Sequence, residues 1–248
     1  MGIESMQVIA HRGANAYAPE NTAAAFDAAV RLGADSMETD IRASKDGQLV
    51  LIHDSAVDRT SNGKGLVCEL TFAELSRLDY GQWFDSKFRG ENIMLLSNFL
   101  EKYGGRIHLT LEIKARETEE ELARVIKSVP ELDYGGYAVT SFDRGCVLRV
   151  MELLPGASTG LLTKHFTKGE VDFCLENNIS QICPPAENLA PGAVEHAHSR
   201  GLAVRAWGVP DAKQMKRAAD IGVDGMTVDF PDKLILYINS LNPASNKS

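Results

Sequence analysis

The chain has 248 residues, 44% of them hydrophobic and 24% charged, which is enough to build one sizeable core. Its formal net charge of -8 argues against a broad basic footprint, so no nucleic-acid partner is expected, although positive charge can still gather around a single anion. Cys68, Cys146, Cys174 and Cys183 show no CxxC spacing and read as free thiols, which suits a reducing compartment. The opening MGIESMQVIAHRG has no basic segment leading into a long apolar one, so neither a signal peptide nor stable membrane insertion is expected. Met6 stands where a myristoylation signal needs Ser or Thr. A cytoplasmic location is the resulting expectation.

In chain order, QVIAH (7–11) reads as a strand and DSMETD (35–40) as a second. Between them NTAAAFDAAVRLG reads as a helix capped by Asn21 or Thr22 and ended by Gly33. QLVLIHD (48–54) follows too soon for a crossover helix, which needs about ten residues or more. Asp46-Gly47 therefore predicts a tight hairpin that sets Asp40 opposite His53. Residues 55–95 break the rhythm: DRTSNGKG is turn-rich, TFAELSRLD suggests a short helix, and YGQWFDSKFRG is aromatic and irregular. They read as an excursion from a barrel rim that covers a site or the barrel edge, with Trp83, Phe84 and Phe88 as candidates for a hydrophobic rim.

Six further strands follow: IHLTLEI (107–113), YAVTS (137–141), STGLL (158–162), SQICP (180–184), LAVRAW (202–207) and DGMTV (224–228). Helical patterns such as ETEEELARVIKSV and DAKQMKRAADIG separate them. Eight strands on a strand–helix rhythm predict a TIM-like (β/α)8 barrel with a small insertion after the early hairpin and its chemistry at the C-terminal strand ends. The expected organisation is one barrel domain over residues 1–241, including the 55–95 rim insertion, with 242–248 a disordered tail. A doubly wound open sheet is the alternative, but no G-x-G-x-x-G or G-x-x-x-x-G-K-[ST] run supports a nucleotide-binding version.

Glu38 and Asp40 lie two apart on one strand and point the same way, and Glu112 ends another strand in LTLEIK. Carboxylates crowded into a barrel mouth need compensation, and a divalent cation supplies it. All-oxygen ligation favours Mg2+ or Ca2+ over zinc, the alternative being carboxylates that simply face solvent. His11 and His53 each end a strand, and two imidazoles can divide the proton work of phosphodiester cleavage, one accepting and one donating. Arg12 and Lys114 suit a phosphate, or a salt bridge to a metal-site carboxylate, or both in one network. Trp207 ends a strand, where it stacks on a substrate or fills the barrel end. His108 shares the inward direction of Glu112 but sits low in the barrel, and His165, His196 and His198 fall in loop or helix-end contexts.

HRG (11–13), PENT (19–22), ETD (38–40), DGQLVLIHD (46–54), DRTSNGKG (58–65), LEIK (111–114) and VDGMTVDFPD (223–232), in this order, resemble the glycerophosphodiester phosphodiesterase family over nearly the whole chain. The resemblance implies a TIM-like barrel and metal-dependent hydrolysis of small-molecule glycerophosphodiesters to glycerol 3-phosphate and an alcohol. It puts the catalytic histidines at His11 and His53, the ligands of one divalent cation at Glu38, Asp40 and Glu112, phosphate binding at Arg12 and Lys114, and a substrate-side tryptophan at Trp207. Asn21 is expected to organise the first loop. Two stretches depart from the family pattern: WGVP (207–210) replaces a WTVN-like run, which alters the rim, and IMLLSNF (93–99) replaces an IPTLEE-like one. A lysophospholipid-directed phosphodiesterase of the same superfamily and a non-catalytic phosphate-ester binder are the alternative readings.

Overall fold

The first helix shows how local sequence sets the frame. Thr22 Oγ1 accepts from the Ala25 amide, α1 (Ala23–Leu32) follows, and Gly33 closes it in the left-handed region at φ 78°. Of the two residues expected to cap it, Thr22 does so. The computed structural model describes residues 6–130, 132–133 and 135–241. The expected disordered tail, 242–248, lies outside them.

Eight parallel strands close a barrel: β1 (Gln7–Ala10), β2 (Ser36–Ala43), β4 (His108–Ile113), β5 (Tyr137–Ser141), β6 (Ser158–Leu162), β7 (Gln181–Cys183), β8 (Ala203–Ala206) and β9 (Gly225–Val228). Going round the barrel the order is β1-β9-β8-β7-β6-β5-β4-β2, and parallel pairing of β1 with β2 closes the ring. Helices α3 (Leu96–Tyr103), α4 (Glu119–Lys127), α5 (Arg144–Leu153), α6 (Lys168–Glu176), α7 (Pro191–Ser199), α8 (Ala212–Ile221) and α9 (Pro231–Leu241) cover the outside. The expected barrel is therefore the observed one.

Alternation along the strands separates two environments. Met37 and Ile41 on β2, and Leu109, Leu111 and Ile113 on β4, pack outward with Phe26, Phe99 and Tyr103 beneath the helices. A second outer cluster gathers Val8, Ile182, Val204 and Met226 against Leu234. The inward positions between them are polar and buried: Ser36, Glu38 and Asp40 on β2, Thr110 and Glu112 on β4, Arg205 on β8 and Thr227 on β9.

The hairpin differs from expectation by one residue. β3 (Leu49–Leu51) pairs antiparallel with β2, with Ala43 facing Leu49 and Ile41 facing Leu51. The loop therefore holds three residues, 45–47, with Gly47 at φ 77° and its amide on the Ser44 carbonyl at 3.0 Å. The extra loop residue moves the partner of Asp40 to Ile52, whose amide donates to the Asp40 carbonyl at 2.9 Å. His53 comes one position later, past the end of the ladder.

Residues 55–95 carry a small apolar cluster of their own, in which Val57, Val67, Leu75, Tyr80 and Ile93 pack on Val50 and Ile52. TFAELSRLD forms the short helix α2 (Phe72–Leu75) with a capping box from Thr71 and Glu74. Trp83, Phe84 and Phe88 stack edge to face on one another and Trp83 Nε1 donates to the Tyr80 carbonyl. They pack within the excursion and do not line the cavity at the barrel mouth, and Trp83 stays exposed.

Gly13 is irreplaceable for a steric reason. At φ 78° it brings the backbone so close to α1 that a Cβ would lie 2.5 Å from the Ala25 carbonyl carbon. Gly13→Ala is expected to cost about 2–4 kcal/mol, read as a lower urea midpoint with an unchanged slope.

Candidate active site

The His-Arg-Gly turn after β1 and the end of the β2–β3 hairpin meet at the C-terminal mouth of the barrel. There a cavity of about 480 Å³ is lined by His11, Arg12, Glu38, His53, Glu112 and Lys114 on one side. Phe142, Leu162, Trp207, Val209 and Pro210 line another, and Arg205, Thr227 and Asp229 complete it. All the expected site residues except Asp40 line this space; Asp40 is fully buried immediately behind it.

Each histidine is held by a carboxylate through Nδ1. His11 Nδ1 lies 2.6 Å from Asp229 Oδ1, and His53 Nδ1 lies 2.7 Å from Asp54 Oδ1. In each ring Nε2 is the nitrogen left for another partner. Arg59, from the rim excursion, donates through Nε to Asp54 at 2.6 Å and through both terminal nitrogens to Glu20 at 2.7 and 2.8 Å. The excursion thus braces His53 from behind.

Arg12 occupies the left-handed region at φ 53°, which turns its amide onto Glu38 Oε2 at 3.0 Å. Its guanidinium reaches Glu20 at 2.9 Å and lies 3.0 Å from Asp40 Oδ2, within ion-pair range though off the hydrogen-bond angle for Nε. Lys114 Nζ stands 2.5 Å from Glu112 and 3.2 Å from Asp40. Asn21, at φ 57°, donates to Asp40 Oδ2 at 2.9 Å and accepts from Thr39 Oγ1 at 2.8 Å, and its amide donates to the Arg12 carbonyl at 3.0 Å, so it ties the first loop to β2.

Among the described residues, Glu38, Asp40 and Glu112 form the one group of three whose donor atoms, all within 4.8 Å of one another, could hold a metal ion. Glu38 Oε1 is buried without a hydrogen-bond donor, while Asp40 Oδ1 and Glu112 Oε1 face the Lys114 ammonium at 3.2 and 2.5 Å. Three hard carboxylate oxygens gathered in this way, one of them with no donor, fit a divalent cation of the magnesium or calcium kind. Burial, and then the neighbouring Asp40 charge, push the Glu38 carboxyl up to about 7. Burial and Asp40 likewise raise Glu112, whereas Asp40 is held low because Arg12 and Lys114 outweigh its burial.

The two histidines are displaced in opposite directions. Burial opposes protonation of His11, but the Asp229 hydrogen bond and the Glu38 charge overcome it and raise the pKa. Burial lowers that of His53 despite the nearby Asp40.

Trp207 donates from Nε1 to the Cys183 carbonyl at 2.9 Å and meets Phe142 edge to face at 5.5 Å. Gly208, at φ 67°, turns the WGVP run so that Val209 and Pro210 face the cavity. His108 sits low in the barrel against Ser36 at 3.0 Å, and neither it nor His165, His196 or His198 lines the cavity.

Sequence reasoning missed Asp229, Glu20, Arg59, Phe142, Arg205 and Thr227. Asp54 adjoins His53 and Asp229 directly follows β9, so acidic residues at strand ends are a usable signal. Arg59 and Glu20 carried none, because their pairing depends on how the excursion folds back.

The family model described as "Glycerophosphoryl diester phosphodiesterase family" matches residues 11–233. A glycerophosphodiester phosphodiesterase of Caldanaerobacter subterraneus subsp. tengcongensis is 37% identical over 235 residues, covering 92% of this chain and 96% of the relative. A solved glycerophosphodiester phosphodiesterase from Agrobacterium tumefaciens superposes with TM-score 0.83 at 29% identity, over 93% of this chain and 99% of the other. A phosphodiesterase from Oleispira antarctica, solved with the product sn-glycerol-3-phosphate, gives TM-score 0.86 at 27% identity, over 94% and 96%. Fold and matches together define a TIM-barrel phosphodiesterase, an enzyme. The chain belongs to the glycerophosphoryl diester phosphodiesterase family.

Proposed function

We propose that the protein hydrolyses glycerophosphodiesters to glycerol 3-phosphate and an alcohol, with His11 and His53 moving the protons and Glu38, Asp40 and Glu112 holding one divalent cation. The observation that carries this reading is the convergence of two carboxylate-oriented imidazoles on one cavity with a cluster of three buried carboxylates, two lining it and Asp40 directly behind. Bound there, Mg2+ or Ca2+ would supply Lewis-acid polarisation of a phosphate oxygen.

The chain's own residues carry the rest. The opposed displacements of the histidines support His53 as the base, taking a proton from the attacking oxygen of water or of the glycerol 2-hydroxyl. They support His11 as the acid, delivering its proton to the departing alcohol oxygen. Arg12 and Lys114, already fixed by Glu20, Asp40 and Glu112, hold positive charge toward the phosphate as charge develops on its oxygens.

Turnover therefore needs neutral His53 and protonated His11, which makes kcat/KM bell-shaped in pH. Because the Asp229 hydrogen bond helps raise His11, Asp229→Asn is expected to move the alkaline limb to lower pH and leave the acid limb in place. A pH–rate profile of that variant checks the assignment. Movement of the acid limb instead would reverse the two roles.

Incubation with glycerophosphocholine and Mg2+ or Ca2+ is expected to release glycerol 3-phosphate. A second reading, turnover of lysophospholipids, is favoured by the apolar wall of Phe142, Leu162, Trp207, Val209 and Pro210. Hydrolysis of lysophosphatidylcholine but not glycerophosphocholine would establish it. Among the described residues no helix is long and apolar enough to cross a membrane. A cytoplasmic setting is proposed, supported by cysteines that remain unpaired.

A further inference from the structure

The floor of the same cavity holds polar groups that the chemistry above does not use. Arg205 lies on the inward face of β8, two residues deeper than Trp207, and only 3% of it is exposed. Its Nε and Nη1 are buried without a hydrogen-bond partner, and no carboxylate among the described residues forms an ion pair with it. The Cys183 thiol beside it is a weak partner at best. Thr227, on the adjacent strand β9 and two residues nearer the mouth than Gly225, the register partner of Arg205, is also buried and lines the cavity, with an unpartnered Oγ1.

Gly225 itself adds no side chain beside Arg205. Gly160, on β6, is another inward position without a side chain, where a Cβ would come within 3.0 Å of Thr140 and Gln181. A buried guanidinium with two nitrogens unpartnered is costly unless an oxygen-rich ligand completes it.

We propose that Arg205 and Thr227 form the subsite for the hydroxyl-bearing glycerol end of the substrate, and so act as specificity-determining residues. This rests on the glycerophosphodiester reading. The closed floor takes the end common to all such substrates, leaving the variable alcohol toward the mouth, past Phe142 and Trp207. Guanidinium and threonine hydroxyl together offer donors and an acceptor to adjacent hydroxyls, a pairing that an apolar floor could not give.

The test compares glycerol 3-phosphate with methyl phosphate, which has the same phosphate monoester but no hydroxyls, by calorimetry on the cation-loaded protein. Arg205→Met is expected to weaken glycerol 3-phosphate about 10- to 100-fold while methyl phosphate changes less than about threefold. Thr227→Val should shift the same ratio less, by about 3- to 10-fold. In parallel, kcat/KM of Arg205→Met for glycerophosphocholine and glycerophosphoglycerol should fall by one common factor. Equal weakening of both phosphates, or no change in either variant, would overturn the proposal. A fall that differs between the two diesters would place Arg205 at the departing alcohol instead, and would also overturn it. If the unaltered enzyme hydrolyses neither diester with either cation, the underlying glycerophosphodiester reading fails, whatever the binding ratio.

Discussion

His11→Ala and His53→Ala are each expected to lower kcat by about 100- to 10,000-fold with the barrel intact. Both rings line the cavity and are partly exposed, so their removal takes little from the core. Neither anchors a strand: His11 follows β1 and His53 follows the β3 ladder. Circular dichroism and a melting curve close to those of the unaltered protein should therefore accompany the loss. The non-additivity of groups that act together gives a sharper check, since the double variant should lose little more than the worse single one. Near-normal turnover in both single variants would defeat the two-histidine assignment.

The second large effect concerns the carboxylates. Glu112→Gln keeps the size and one oxygen of the side chain but removes a negative charge from the proposed ligand set. Cation affinity is expected to fall more than about 100-fold, beyond what losing an outer-shell partner usually costs. Melting curves offer an independent readout. With the Glu38 carboxyl raised from 4.5 to about 7, the folded, cation-free protein keeps that proton to a higher pH than the unfolded chain does. Its contribution to stability therefore falls as pH rises through that window. A cation should raise Tm more at about pH 8 than at about pH 5, and Glu38→Gln should remove most of the difference. An equal rise at both pH values, or unchanged cation affinity in Glu112→Gln, would argue against the ligand roles.

What the sequence reveals and what it hides follow from the range of the interactions involved. Strand STGLL and the α1 boundaries are local, set by alternation, a threonine cap and a glycine stop, and they stand where expected. Glu38, Asp40 and Glu112 are legible because alternation fixes which way a strand side chain points. The hairpin register is not, because Asp46-Gly47 serves a two-residue or a three-residue loop, and one residue changes the partner of Asp40. The Arg59–Glu20–Asp54 brace depends on an irregular excursion folding back over the mouth, which no periodicity encodes. The aromatic excursion residues illustrate the converse: composition makes them rim candidates, yet they pack on one another away from the cavity, and Phe142 with Trp207 faces it instead.

The account depends most on a cation-dependent phosphodiesterase site, so the decisive measurement is glycerol 3-phosphate release from glycerophosphocholine by metal-stripped protein, before and after Mg2+ or Ca2+ is added. No release from the stripped protein and restoration by at least one cation is the predicted result. Full release by the stripped protein, or none with either cation, would contradict it.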